Sequence, residues 1–447
     1  MEQGAQPTEP LNRWLERQYR YSAHAMLQSV SPVTLLKSRP GFGQVVRPVK
    51  GSIVASPVLA AYDPDPDYFF HWFRDSAVVV DALRLLFESG AMGEEAVGHV
   101  ADFVAFSLAL GALDGRVLAT SPAWRAGVAE DFKQYVRSEA DLAIAHGDRV
   151  VAETRVNPDG TLDISRWCRP QFDGPALRAL ALLRWIGDGA ARAARLAGAA
   201  ALIRADLSFV VKHWREPSFD IWEEESGQHY YTLCVSAAAL AEGATWLERI
   251  GETHQAHLLQ TESGEILRTL EVFWLPDAGY YRSRVLTCGS PSAKELDIAV
   301  LLAAIHAARA DGPHSVHDPR MHATLERLET LFEQAYPINH HRPAGRGIAM
   351  GRYANDVYYS GGAYYFSTLG AAEFCFRAAR GVTDSQRWLQ RGDAFLQTVQ
   401  EFTPPGGELS EQFDKSTGVQ TSGKHLAWSY AALISCVAAR RQAMQHR

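Results

Sequence analysis

Cysteine is scarce in this chain. Its five copies, Cys168, Cys234, Cys288, Cys375 and Cys436, lie far apart, and no C-x-x-C occurs in 447 residues. An odd, scattered set excludes a disulfide framework and a zinc ribbon, and it fits reduced thiols in a cytoplasm. Basic stripes are absent too. Net charge is −7, with acids and bases mixed along the sequence, which argues against nucleic acid and anionic membrane as partners. No apolar run is long enough to cross a bilayer. The N-terminus M-E-Q-G-A-Q-P-T-E-P lacks the basic and apolar regions of a secretory signal. The expectation is a cytoplasmic protein acting on a neutral or cationic small molecule. Strand-like alternation is also weak from end to end.

Helical periodicity is what remains. Apolar residues recur at i, i+3, i+4 and i+7, as in S-A-V-V-V-D-A-L-R-L-L-F, and the pattern predicts twelve helices. They fall at about 11–29, 75–88, 93–111, 174–187, 190–213, 230–249, 253–273, 295–309, 319–334, 362–380, 384–401 and 425–443. Connections after even-numbered helices are short or moderate. Those after odd-numbered helices are long and rich in Gly, Pro and aromatics, whereas helix hairpins normally use ~2–8 residues. Antiparallel helix pairs stacked around a closed ring would bring all six long connections to one end, where they could build one site. The expected fold is therefore all-α, an (α/α)6 barrel, with residues 1–447 as one catalytic domain. An open solenoid of helix pairs is the alternative.

The long loops carry the chemistry. The first ends Y-F-F-H-W-F-R-D-S, with Tyr68, Trp72, Arg74 and Asp75 together. Aromatic faces stack on the C–H faces of sugars, while Arg and Asp clamp vicinal hydroxyls. Asp75 read alone is a helix N-cap. In the second loop Trp167 lies outside any helical pattern, and Asp173 reads as a cap. The third holds D-I-W-E-E-E-S-G. Adjacent side chains of an extended segment point to opposite sides, and crowding beside Trp222 would push one carboxyl upward, as a general acid requires. The bland reading of Glu223, Glu224 and Glu225 is a solvated acidic turn. The fourth loop, Y-Y-R-S-R-V-L-T-C-G-S-P-S-A-K-E-L-D, is polar and shows little beyond shaping a cleft. The fifth carries Arg352, Asp356 and Tyr364, and also His340 and His341, which lack a carboxylate at ligand spacing and so predict no metal. The sixth, G-G-E-L-S-E-Q-F-D, supplies Glu411, a second separated carboxylate.

Six blocks in order, P-D-Y-F-F-H-W-F-R-D-S, R-P-Q-F-D-G-P-A-L-R-A, D-I-W-E-E, Y-P-I-N, G-R-Y-A-N-D-V-Y-Y-S-G and L-S-E-Q-F-D-K-S-T-G with A-W-S-Y-A-A-L, make the chain resemble the glucoamylase family, glycoside hydrolase family fifteen. The resemblance implies an exo-acting, inverting hydrolase that releases glucose from non-reducing ends of soluble α-glucans or small oligosaccharides, with no cofactor. It implies Glu223 as general acid and Glu411 as general base. Arg74 and Asp75 would clamp the terminal glucose, Tyr68, Trp72 and Trp428 would wall it, and Trp167 would cover the cleft. Glu224 and Arg352 would bind substrate near the cleavage point, with Ile221, Asp356 and Tyr364 completing the set. Departures are Tyr364 where fungal relatives carry tryptophan, and a fourth loop that keeps Asp297 without its surroundings. No starch-binding module is expected. Preference for α-1,6 glucans or trehalose, or phosphorolysis on a similar barrel, stay open as alternatives, as does the oligomeric state.

Overall fold

The computed structural model describes residues 9–62, 64–121, 123–187 and 194–445. Among these, twelve helices of nine residues or more alternate with the connections anticipated above. They are α1 (Leu11–Leu27), α2 (Phe73–Glu88), α3 (Glu95–Leu110), α4 (Asp173–Ile186), α5 (Ala199–His213) and α6 (Tyr230–Arg249), then α7 (Thr253–Leu270), α8 (Ala299–Ala307), α9 (Pro319–Ala335), α10 (Tyr365–Ala378), α11 (Ser385–Phe402) and α12 (Ala427–Gln445). The expected start of the fifth helix, at residues 190–193, lies outside the described residues.

The even-numbered helices form an inner ring. Each packs on the next, α2 on α4 and so on to α12, which returns to α2. The ring is closed, so the fold is an (α/α)6 barrel rather than an open solenoid. The odd-numbered helices lie outside, each on an inner partner, with α1 on α12. Position explains composition. An inner helix has neighbours on almost every side, so α8 (A-V-L-L-A-A-I-H-A) is apolar all round and only His306 escapes full burial. An outer helix needs a single apolar stripe. Thus α9 buries Met321, Thr324, Leu325, Leu328 and Phe332 and leaves its charges to water, each large apolar side chain so buried contributing ~1.5–3 kcal/mol. Pro319 opens α9 behind the Asp318 cap, which accepts from Arg320 N. Among the described residues, no helix is long and apolar enough to cross a membrane.

The six long connections meet at one end, tied together by strands of two to four residues. His71–Trp72 pairs with Arg155–Val156, joining the first loop to the second. Ser226–His229 pairs with Ser218–Phe219 and Arg284–Leu286, joining the third to the fourth. Gln412–Phe413 pairs with Ala363–Tyr364, joining the fifth to the sixth. Single links complete the circuit: a bridge between Asp297 and Tyr353, Phe219 N to Pro170 O at 2.9 Å and Ala427 N to Ala55 O at 2.8 Å. The loops are therefore a second closed ring set on the helical one.

The rings meet tightly where α4 opens. A Cβ on Gly174 would stand 2.6 Å from Phe73 Cβ, an atom bonded to the α2 backbone and unable to swing aside. Gly174→Ala should destabilise the fold by ~1–3 kcal/mol through overpacking. Gly264→Ala in α7, where nothing lies closer than 3.9 Å, should be neutral or mildly stabilising. Thermal unfolding of the pair checks the comparison.

Candidate active site

The loop ring encloses a cavity of about 220 Å³ lined by Tyr68, Trp72, Arg74, Asp75, Trp167, Ile221, Glu223, Glu224, Arg352, Glu411 and Trp428, residues from five of the six loops and the helix starts that follow them. Ala55, Trp222, Tyr358, Phe366 and Leu426 also line it. Its floor is a stack: Phe366 and Trp428 lie 4.4 Å apart at 9°, with Trp222 on both. A smaller cavity of about 40 Å³ on the barrel axis shares only Phe366 and Trp428 with the first, so those two rings separate the spaces.

The helix starts aim the first group. α2 begins at Phe73, so Asp75 sits inside the first turn and makes no cap bond. It faces Arg74 instead, 3.6 Å from Nη2. Asp173 is likewise the first residue of α4 rather than its cap, and it accepts from Arg74 Nη1 at 3.3 Å. Arg74 Nη2 donates to Glu223 Oε1 at 2.9 Å. One buried guanidinium thus serves three acids. Burial pushes Asp75 up to about 6 against the pull of Arg74.

The D-I-W-E-E-E stretch is a turn, not an extended segment. Asp220 Oδ1 accepts from Trp222 N at 3.1 Å and Glu224 N at 3.0 Å, and Glu223 N reaches Asp220 O at 2.9 Å. Glu223 sits at φ +65°, a left-handed conformation that costs a non-glycine residue ~1 kcal/mol or more. The turn spreads the three carboxylates to four cations. Glu223 takes Arg74, together with indole N–H groups from Trp72 (2.8 Å) and Trp167. Glu224 takes Arg352 at 3.2 Å and Lys294 at 2.7 Å. Glu225 takes Arg284 at 2.9 Å. The mutual crowding expected from the sequence is relieved by divergence.

Glu411 reaches the cavity from the sixth loop, where Ser422 and Tyr68 (3.1 Å) donate to Oε2. Burial pushes its carboxyl up to about 7, opposed by the Ser422 hydroxyl and the Arg352 charge. Tyr68 and Trp72, one bonded to each catalytic candidate, meet edge to face with centroids 5.5 Å apart. Among the described residues, the two carboxyl groups share no hydrogen-bond partner.

Asp356 and Tyr364 are buried behind Arg352 and not on the cavity wall. Arg352 donates to both Asp356 oxygens at 2.7 Å, and Tyr364 OH donates to Asp356 at 3.1 Å. The structure gives them the task of holding Arg352. Sequence reading missed Tyr358, whose hydroxyl lies 2.7 Å from that of Tyr68, and Tyr353, whose hydroxyl donates to Glu224 at 2.7 Å. Both sit in an aromatic-rich loop where spacing does not say which ring faces inward. Lys294 was missed in a loop that offered no pattern.

The comparisons bear on this geometry. The model of Glycosyl hydrolases family 15 matches residues 151–390 and 386–438. Among curated relatives, a probable glucoamylase of Schizosaccharomyces pombe is 29% identical over 88% of this chain and 86% of its own. An intracellular, sporulation-specific glucoamylase of Saccharomyces cerevisiae is 25% identical over 99% and 86%. The solved glucoamylase of Saccharomycopsis fibuligera superposes with a TM-score of 0.77 at 21% identity, covering 100% of this chain and 99% of that one, a likeness of fold. With the family model spanning more than half of the sequence and the barrel closed, the chain belongs to glycosyl hydrolases family 15 and is a glycoside hydrolase.

Proposed function

We propose that the protein is an exo-acting, inverting hydrolase that releases β-D-glucose from the non-reducing ends of α-1,4 gluco-oligosaccharides. The observation that carries this is the pocket: floored by stacked rings, it admits a chain end but no through-running chain. At about 220 Å³ it lies below the ~300–1,000 Å³ of sites for drug-sized ligands, the scale of one ring. Arg74 and Asp75 hold that ring's hydroxyls, and Tyr68, Trp72 and Trp428 pack its faces. Glu223 gives a proton to the glycosidic oxygen as the C1–O bond breaks. Glu411 takes a proton from water, whose oxygen adds to C1 from the opposite side. Separate tethers for the two carboxyl groups, with Tyr68 and Trp72 between them, support room for that water. A buried carboxylate at Glu411 disfavours phosphate as nucleophile. Five unpaired cysteines, three of them buried, support a reducing compartment such as the cytoplasm.

Time-resolved proton NMR of maltose hydrolysis tests the reading, with maltotriose, isomaltose, panose and trehalose beside it. The reducing-end unit leaves with the anomeric mixture of maltose, so β-glucose should initially exceed its equilibrium share; an initial excess of α-glucose would establish retention. A larger kcat/KM for isomaltose or trehalose would move the linkage assignment.

A second reading exchanges the carboxyl roles, favoured by the raised position of Glu411 and the Arg74 contact of Glu223. The pH profile separates the two. A base works ionised, so kcat/KM should fall as pH drops through about 7. The Ser422 hydroxyl stabilises the ionised form, so Ser422→Ala should move that acid limb to higher pH. With Glu411 as acid, the same variant would instead move the alkaline limb upward.

A further inference from the structure

We propose that Lys294 is a positioning residue for the second sugar, acting through Glu224 to set how the enzyme grips the unit beyond the scissile bond. This rests on the reading above. Lys294 Nζ donates to Glu224 Oε2 at 2.7 Å and stands 4.8 Å from the centroid of the Tyr353 ring, whose hydroxyl donates to the same carboxylate at 2.6 Å. Glu224 lines the cavity and is adjacent in sequence to Glu223, which faces the scissile oxygen in the proposed mechanism. A sugar on the leaving-group side therefore lies beside Glu224. Arg352 holds one oxygen of that carboxylate, Lys294 the other, and Tyr353 spans both. Lys294 alone of the three comes from the fourth loop.

An ordinary surface ion pair is worth ~0–1 kcal/mol because both partners move in water. This one differs. Its side chains are 27% and 25% exposed, and the lysine backbone is fixed on both sides. Lys294 N donates to Ser292 Oγ at 3.0 Å, and Lys294 O accepts from Ser283 Oγ at 3.0 Å. Ser292 Oγ in turn donates to Glu225 at 2.8 Å. The fourth loop thus docks on two successive carboxylates of the third. The lysine fixes the Glu224 oxygens so that their remaining lone pairs meet sugar hydroxyls in one orientation, the use that charge-assisted hydrogen bonds serve best. The substrate class that feels this is any α-glucoside with an unsubstituted second sugar. A substrate without one should not.

The test compares maltose with α-glucosyl fluoride, whose leaving group is a single atom. Lys294→Met should raise KM for maltose about tenfold with kcat within about threefold. Its kcat/KM for the fluoride should fall far less, and Lys294→Arg should recover most of the maltose KM. The ratio of isomaltose to maltose kcat/KM should also shift in Lys294→Met. Equal losses on maltose and fluoride would mark a structural role and overturn the proposal, as would an unchanged maltose KM. A wild-type protein inactive on both would instead refute the hydrolase reading on which the proposal stands.

Discussion

Replacing Glu411 by glutamine should lower kcat on maltose and on α-glucosyl fluoride alike, by about 10³-fold or more, while the affinity for unreactive sugar changes little. General acid or base groups are each worth ~10²–10⁴, and both substrates need an activated water. Replacing Glu223 by glutamine should be just as damaging on maltose. On the fluoride it should be mild, because fluoride departs without a proton. The asymmetry between substrates assigns the roles. Glutamine keeps the shape of each side chain, and an amide oxygen can still accept from Trp72 at position 223 or from Ser422 and Tyr68 at position 411. Lost turnover then reports the proton, not a collapsed wall. If Glu411→Gln spared the fluoride and Glu223→Gln did not, the roles would be exchanged. If either left maltose turnover intact, that residue would have no chemical role.

The helical ring was legible because its signal is repeated. Twelve periodic segments and six long connections at alternate positions leave few other ways to arrange a chain. The loop ring was not. Its strands run two to four residues, too short for alternation to register against the background, so the pairing of successive loops emerges only in space. Residue types in the site were legible for a similar reason: Trp, Arg and acids outside helical patterns have little structural work to do. Their partners were not. Asp173 reads as a helix cap because an Asp before an apolar run usually is one, and nothing local reveals an arginine 99 positions away. Lys294 finds Glu224 across 70 positions. Among Tyr358, Tyr359, Tyr364 and Tyr365, sequence cannot tell that Tyr358 lines the cavity while Tyr364 is fully buried on Asp356. A resemblance can transfer a role to a position, and packing decides whether that position touches the cavity or the residue behind it.

Arg74→Met should damage folding and catalysis together, and its cost should depend on pH in a definite sense. The arginine is buried and faces Asp75, Asp173 and Glu223. Methionine fills similar space but leaves those carboxylates without their cation. Breaking a buried pair from one side costs ~3–5 kcal/mol, and loss of the ring clamp should lower kcat/KM on maltose by about 10³-fold or more. The sign of the pH effect follows from Asp75. In the folded wild type it stands at about 6, above its ordinary value of 3.8, so the native state holds that proton more tightly than the unfolded chain does. Its contribution favours folding below about 4 and is lost as pH rises toward 6. Arg74 pulls Asp75 and Asp173 downward; without it both rise, and the stability lost above pH 6 grows. Urea unfolding should therefore show a larger gap between Arg74→Met and wild type at pH 7.5 than at pH 5. Adding Asp75→Asn to the variant should narrow the gap at pH 7.5 without restoring activity. Lysine should rescue poorly, since one ammonium cannot match a guanidinium whose Nη1 and Nη2 serve different acids. A gap that is constant with pH would show that Asp75 and Asp173 do not depend on Arg74 for their charge.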